Sequence, residues 1–378
     1  MTSVVLLGDF PTVGLRGAAM AARMPPTGPG TGPAAAHELA ERLAPMLDGG
    51  RAVLALYPSW REQADLPVLR MARKLLDARR LAFGEVSLPP LALSFVADQC
   101  AHLAPHVEPG VLTSLLPRLS RAVAAGAWVS SVAKLAHVKT GLRQHMRSYL
   151  PRAGFLVTAS PAQDVRRVTE DDPLSAWPGR LADPAMMLVA DQQGDAAWIN
   201  DRLRVSLAAQ SVSLTPPQPA SAAYWGTPKF TEFVVWSGHP QAMQILIRGM
   251  SCRPCPWCGE QTGLPVCAFC GCAQPPGTVV PQPDLPDLWT TIETATAAVR
   301  EAVPVPQPVH RPAPPLPPGP PPPLPPGPKQ ATPNPYPSEP RTPSAEVTRP
   351  EPLPPPAPAR PPSFGASAAP PRPEIPSR

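Results

Sequence analysis

The sequence predicts a mixed α/β globular domain, followed by a small cysteine-rich module and a long proline-rich arm. Three observations predict it. Across residues 3–88, short valine- and leucine-rich runs alternate with segments of helical apolar spacing, as layered α/β folds do. Six of the 7 cysteines fall between Cys252 and Cys272. Of the 63 prolines, 32 lie in the 75 residues 304–378.

The elements follow in order. Residues 3–9 (SVVLLGD) read as a buried strand stopped by Gly8 and Asp9. A Pro/Gly-rich loop over 24–33 leads to a helix over 34–47, and 51–56 is the next strand. Asp65 is placed to cap a helix carrying Leu69, Ala72, Leu75 and Leu76, with Pro67 in its first turn, where proline is tolerated. Residues 81–88 return to an extended pattern, so the strands are expected to pair in parallel. Trp128, Val132, Leu135, Val138, Leu142 and Met146 recur at three and four residues and predict one face of a long amphipathic helix. Residues 155–158, 186–190 and 230–236 read as strands, and 240–250 as a short helix running into the cysteines.

The cysteine segment reads CRPCPWCGEQTGLPVCAFCGC. Its core is Cys255-x2-Cys258, then Cys267-x2-Cys270, with Gly259 and Gly271 directly after each pair. Each Cys-x2-Cys turn can aim two thiolates at one ion, and the following glycine can take the positive φ that reverses the chain. Two facing turns make a tetrahedral four-thiolate site, the preference of structural zinc, with no open position for a catalytic water. Cys252 also forms Cys-x2-Cys-x2-Cys with Cys255 and Cys258, like the start of an iron–sulfur ligand run, but the fourth cysteine followed by proline is missing. Reduced thiols without metal are the third reading. The segment resembles the short bacterial zinc ribbons of the CPxCG…CxxCG type. That resemblance covers residues 252–272 only and implies a structural zinc held by Cys255, Cys258, Cys267 and Cys270. Trp257 and Phe269 occupy matching places in the two turns. They are either an exposed platform or packed on the preceding helix, and the short tether favours packing.

After a spacer, Leu288, Ile292, Ala295 and Val299 fall on one helical face, with Trp289 beside it, predicting a helix over 285–302. Beyond it, the tail has two aromatics, Tyr336 and Phe364, and cannot bury enough apolar surface to offset its ordering entropy. The expected organisation is an α/β domain over 1–250, a zinc ribbon over 251–275, a linker with an amphipathic helix over 276–303, and a disordered proline-rich tail over 304–378.

Composition narrows the function. The tail holds seven basic and four acidic residues, a net +3 of the chain's +5, so the folded part is near neutral and is no global nucleic-acid footprint. No apolar run reaches the ~18 residues of a membrane span, and the first residues lack a basic n-region. Clustered cysteines suit a reducing compartment, so a cytoplasmic protein is expected. Arginine far outnumbers lysine, 28 to 5; with the alanine and proline excess, this suggests a GC-rich bacterial genome. Gly28, Gly30 and Gly32 follow a helical-looking segment and make no phosphate loop. Asp98, Cys100, His102 and His106 sit close in sequence, but Pro105 divides the histidines. No catalytic residue is assigned. The expectation is a non-enzymatic adaptor or scaffold that meets a protein partner through the 285–302 helix or the proline-rich arm. The alternatives are a nucleic-acid-binding protein using the basic region 118–152, or an α/β enzyme braced by the ribbon.

Overall fold

The computed structural model describes residues 2–15, 17, 19–24, 32–138, 154–168 and 184–275. The chain divides into two units, Met1–Gln307 and Pro308–Arg378, and the second lies wholly outside the described residues. The linker helix over 285–302 and the tail lie outside them too.

The first unit is mixed α/β, as the sequence predicts. Strands β1 (Thr2–Leu7), β2 (Ala22–Met24), β3 (Ala52–Pro58) and β4 (Leu81–Val86) form a parallel sheet in the order β2-β1-β3-β4. Every residue of β3 is buried, as expected of a parallel strand covered on both faces. Val5, Leu7, Val53 and Ala55 face helices α1 (Pro33–Leu47) and α2 (Glu62–Leu75), while Val4, Leu6, Leu54 and Leu56 face α3 (Pro90–Leu103) and α4 (Pro109–Arg121). Pro33, Pro90 and Pro109 each start their helix, where a missing N–H costs nothing and the fixed φ is already helical.

A second sheet lies on the far side of α3 and α4. It holds β5 (Val123–Val129), β6 (Gly154–Ser160), β7 (Asp164–Val168), β8 (Ala185–Gln192), β9 (Ala209–Leu214) and β10 (Phe230–Ser237), in the order β7-β6-β5-β10-β8-β9. All its pairings are antiparallel except β8 with β9. Its outer face is covered by α5, three continuous helical segments (Ala196–Trp198, Ile199–Leu203 and Arg204–Ser206) that bring Ile199 and Leu203 onto Phe233 and Val235. Two short helices flank β10: α6 (Ser221–Trp225) before it and α7 (Ala242–Arg248) after it. The principal core therefore lies between the two sheets, around α3 and α4.

Two sequence-based expectations change. The long helix from Trp128 is not formed at its start: Trp128 belongs to β5, a central strand between β6 and β10, and 131–138 is irregular. Its remaining positions, Leu142 and Met146, lie outside the described residues. A strand buried on both faces carries an unbroken apolar run, which can match a helical spacing by coincidence. α2 begins at Glu62, so Asp65 sits inside its first turn and is buried there instead of capping it. α3 is buried almost all round and so shows no amphipathic period.

One charged group fixes the loop between β1 and β2. Asp98 of α3 accepts hydrogen bonds from Thr12 Oγ1 (2.8 Å), Val13 N (3.3 Å), Ala21 N (3.1 Å) and Arg23 Nη2 (2.8 Å). All four donors belong to the loop or to β2, so this carboxylate ties them to the core. It is the best-satisfied carboxylate among the described residues, which leaves no role for it as a metal ligand with Cys100, His102 or His106. Burial pushes the Cys100 thiol up to about 12, and both histidines are exposed.

Candidate metal centre and strand-end crevice

The four predicted cysteines converge. The sulfurs of Cys255, Cys258, Cys267 and Cys270 all lie within 4.8 Å of one another. The Cys255–Cys270 and Cys258–Cys267 pairs are 3.7 and 3.6 Å apart. Tetrahedral zinc with bonds of ~2.3 Å would separate its sulfurs by about 3.8 Å, so the donor set fits that ion. The two turns repeat each other: Gly259 N donates to Cys255 O at 2.9 Å, Gly271 N donates to Cys267 O at 2.8 Å, and both glycines have φ 75°. Burial raises thiol pKa values, but at Cys255 the N–H groups of Cys258 and Trp257 outweigh it and bring the group down to about 6. Cys252 stands outside the cluster, so the iron–sulfur run is not assembled. Burial pushes its thiol up.

The ribbon is set against both layers of the parallel half. Strands β11 (Arg253–Pro254) and β12 (Gln261–Thr262) form its hairpin. Phe83 N, on edge strand β4, donates to Ala268 O at 3.4 Å, and Arg73 Nη1 of α2 donates to Phe269 O at 2.9 Å. Gly263 N donates to Ser114 Oγ of α4 at 2.8 Å. At Gly110 a Cβ would lie 1.8 Å from Gln261 O, so only glycine lets α4 start this close to the ribbon backbone. The ribbon thus covers the otherwise open edge of the first sheet, a position proteins commonly protect.

The matching aromatics part company. Phe269 is buried with the principal core, whereas Trp257 is 80% exposed. Packing therefore holds for Phe269 and fails for Trp257, which lies on the solvent side of the first turn. The basic region also changes character. Arg118 is buried and its guanidinium donates to Leu246 O (3.2 Å) and Gly249 O (2.6 Å), holding α7 and not a phosphate. Residues 139–153, which carry much of that basic region, lie outside the described residues.

A second site was not read from the sequence. The chain leaves β1 for β2 on one side, and β3 is followed by β4 on the other. The carboxyl ends of β1 and β3 are thus a switch point, where open α/β sheets place ligands. Phe10 and Trp60 follow these strands and meet edge to face, with centroids 5.9 Å apart. From the second sheet's side, Tyr224 stands 5.4 Å and His137 5.7 Å from Trp60, and these two stack at 4.8 Å. Trp60 Nε1 donates to Leu88 O at 3.2 Å, which fixes the indole over the end of β4. Arg61 Nη2 donates to Asp65 Oδ1 at 3.0 Å, and its Nη1 lies 3.0 Å from where a Cβ on Gly8 would stand. Asp65 is 7% exposed, its Oδ2 has no hydrogen-bond partner among the described residues, and burial lifts its carboxyl to about 6 against the pull of Arg61. The signal in the sequence was the strand followed by Trp60-Arg61, which becomes informative only once β1 and β3 are known to be neighbours.

Behind this wall Glu232 is fully buried; Leu91 N donates to it at 2.9 Å, and so does Ser221 Oγ. Burial lifts its carboxyl to about 7 although both hydrogen bonds favour the charge. The folded chain therefore holds this proton more tightly than the unfolded one. Its contribution to stability is full below the ordinary carboxylate pKa and is lost as pH rises through about 7. Urea unfolding at stepped pH should show wild-type stability falling over that window. The slope is bounded by ~1.4 kcal/mol per pH unit for one proton, and Glu232→Gln should remove that part of it. A variant with the wild-type slope would show that the carboxyl titrates normally.

No family model and no curated protein matches the chain. Solved structures of similar architecture include a DegV family protein from Corynebacterium glutamicum (13% identity, TM-score 0.46, covering 63% of this chain and 97% of that one). Another is a fatty-acid-binding DegV family protein from Thermus thermophilus (14% identity, TM-score 0.46, 62% and 99%). A third is a DegV lipid-binding protein from Thermotoga maritima (13% identity, TM-score 0.45, 62% and 98%). The expectation of an adaptor or scaffold, with its nucleic-acid-binding and braced-enzyme alternatives, is corrected here. So is the expectation of a protein or nucleic-acid partner. Two of these three structures, from Thermus thermophilus and Thermotoga maritima, are described as a fatty-acid-binding and a lipid-binding protein. No helix among the described residues is long and apolar enough to cross a membrane.

Proposed function

We propose that the chain is a zinc-braced binding protein for an apolar carboxylic acid, held at the carboxyl ends of β1 and β3. One observation carries the ligand class: Arg61 stands beside an aromatic wall at the switch point of the parallel sheet. Phe10, Trp60 and Tyr224 offer apolar contact, as ligand sites mostly do, and one charged group fixes orientation. Arg61 gives one N–H to Asp65 and, among the described residues, none of its others to protein. Those donors suit a carboxylate, which a guanidinium can grip through two parallel bonds.

The zinc is proposed for Cys255, Cys258, Cys267 and Cys270, on the support of their spacing and their all-sulfur donor set. Its role is structural: it adds no reaction and holds the ribbon in shape. The division into 1–250, 251–275, 276–303 and 304–378 is proposed with it. A cytoplasmic placement is also proposed, because six thiols packed into one short segment need a reducing environment.

The test is calorimetric titration of the full chain with palmitate and with hexadecanol. Palmitate should bind and the alcohol should bind more weakly. Arg61→Ala should weaken palmitate by about tenfold or more, the loss expected for a charge-assisted hydrogen bond, and should leave the alcohol unchanged. Equal binding of acid and alcohol, or no binding of either, would refute the assignment.

A further inference from the structure

A second cleft lies at the other end of α2, between its last turn and the ribbon. It is an open cleft of about 910 Å³, within the size range of small-molecule sites. One wall is cationic: Arg73, Lys74, Arg79 and Arg80 line it. The turn between α2 and β4 aims them, because Asp77 takes φ 44° and reverses the chain, and Ala78 N closes the turn on Arg73 O at 3.1 Å. The other wall is the first knuckle of the ribbon, with Trp257 projecting into solvent.

The four cations are not equivalent. Arg73 is committed to Phe269 O, and it stands near Cys270, where a metal-loaded centre of four thiolates would leave negative charge. Arg80 donates to Gly50 O at 2.7 Å and pairs with Glu260 at 3.4 Å. Lys74 and Arg79 are exposed and have no side-chain hydrogen bond or ion pair among the described residues. So the cleft offers two uncommitted cations on one wall and one bare indole on the other.

We propose that this cleft is a site for a nucleoside phosphate, with the base stacked on Trp257 and the phosphates on Lys74 and Arg79. Every base has a π face that an indole can stack on, and phosphate oxygens take N–H donors from lysine and arginine. Neither half is strong alone, so binding requires ring and phosphate in one molecule. The exposed cations make it sensitive to salt. This site is separate from the strand-end crevice and depends on the ribbon being folded, so zinc content is measured on the same sample.

The experiment uses full-length, metal-loaded protein at low ionic strength, titrated with ATP, adenosine and pyrophosphate. ATP is expected to bind at a single site, with adenosine and pyrophosphate each about tenfold weaker or worse. Trp257→Ala, and separately Lys74→Ala with Arg79→Ala, should each weaken ATP by about tenfold, a factor corresponding to ~1.4 kcal/mol. All three side chains are exposed, so metal content and thermal melt should stay at wild-type values. The proposal is overturned if ATP does not bind at millimolar concentration. It is equally overturned if pyrophosphate matches ATP, or if either variant binds ATP as wild type does.

Discussion

Cys267→Ser is expected to lose the metal and to lower the stability of the whole first unit, not of the ribbon alone. Cys267 is 1% exposed and shares one core cluster with Cys255, Phe269, Leu112, Leu115 and Leu116. Zinc binding in such small sites contributes on the order of 10 kcal/mol as folding free energy. A whole domain is stable by only about 5–15 kcal/mol. Without metal the knuckles have little else to hold their shape, and Phe269 would leave the core with them. Loss of a buried phenylalanine costs about 3–5 kcal/mol by itself. Edge strand β4 would also lose its cover, so light scattering should rise. Cys258→Ser separates the two effects, because that ligand is exposed and removes no core side chain. Both variants should unfold in urea through one transition at a lower midpoint. Two transitions, with the larger at its wild-type midpoint, would show that the ribbon unfolds independently.

Asp98→Ala should be the most damaging substitution away from the cysteines. Its side chain is 1% exposed and faces Arg23, whose side chain is 18% exposed. Removing one partner of a buried pair leaves an uncompensated charge and costs about 3–5 kcal/mol. Here Thr12 Oγ1 and the N–H groups of Val13 and Ala21 would lose their acceptor as well. The loop they anchor carries Phe10, so the strand-end crevice should suffer together with stability. Asp98→Asn keeps a hydrogen-bond acceptor and should fall between the two. Urea midpoints of the three proteins check this order, and an alanine variant within about 1 kcal/mol of wild type would show the network to be dispensable.

Local chemistry was legible in the sequence where it depends on neighbours along the chain. The strands at 3–9, 51–56 and 81–88 needed only short apolar runs and their stops, and all three are found. The ligand set needed only the spacing of two cysteine pairs and two glycines, and those four sulfurs do converge. What failed depends on the fold as a whole. Trp128 lies at helical spacing from Val132 and Leu135, yet β10 and β6 claim it as a central strand. Arg118 belongs to a basic stretch, yet carbonyls more than a hundred residues away enclose it. Asp98 looked like one member of a loose acid–histidine cluster, while its partners come from a loop more than seventy residues earlier. The crevice at β1 and β3 was invisible for the same reason: Arg61, Phe10, His137 and Tyr224 carry no common linear pattern. Trp257 and Phe269 make the contrast in one motif. They hold equivalent places in two repeated turns, and only the surroundings decide that one is core and the other surface.

Metal analysis of the full chain, purified under reducing conditions without added metal, tests the central claim most directly. One zinc per chain is expected, absent from Cys258→Ser and from Cys267→Ser, with no visible absorbance. Iron with a visible chromophore, or a wild-type chain that is fully folded with no metal bound, would contradict the four-thiolate brace on which the ribbon's place in the fold depends.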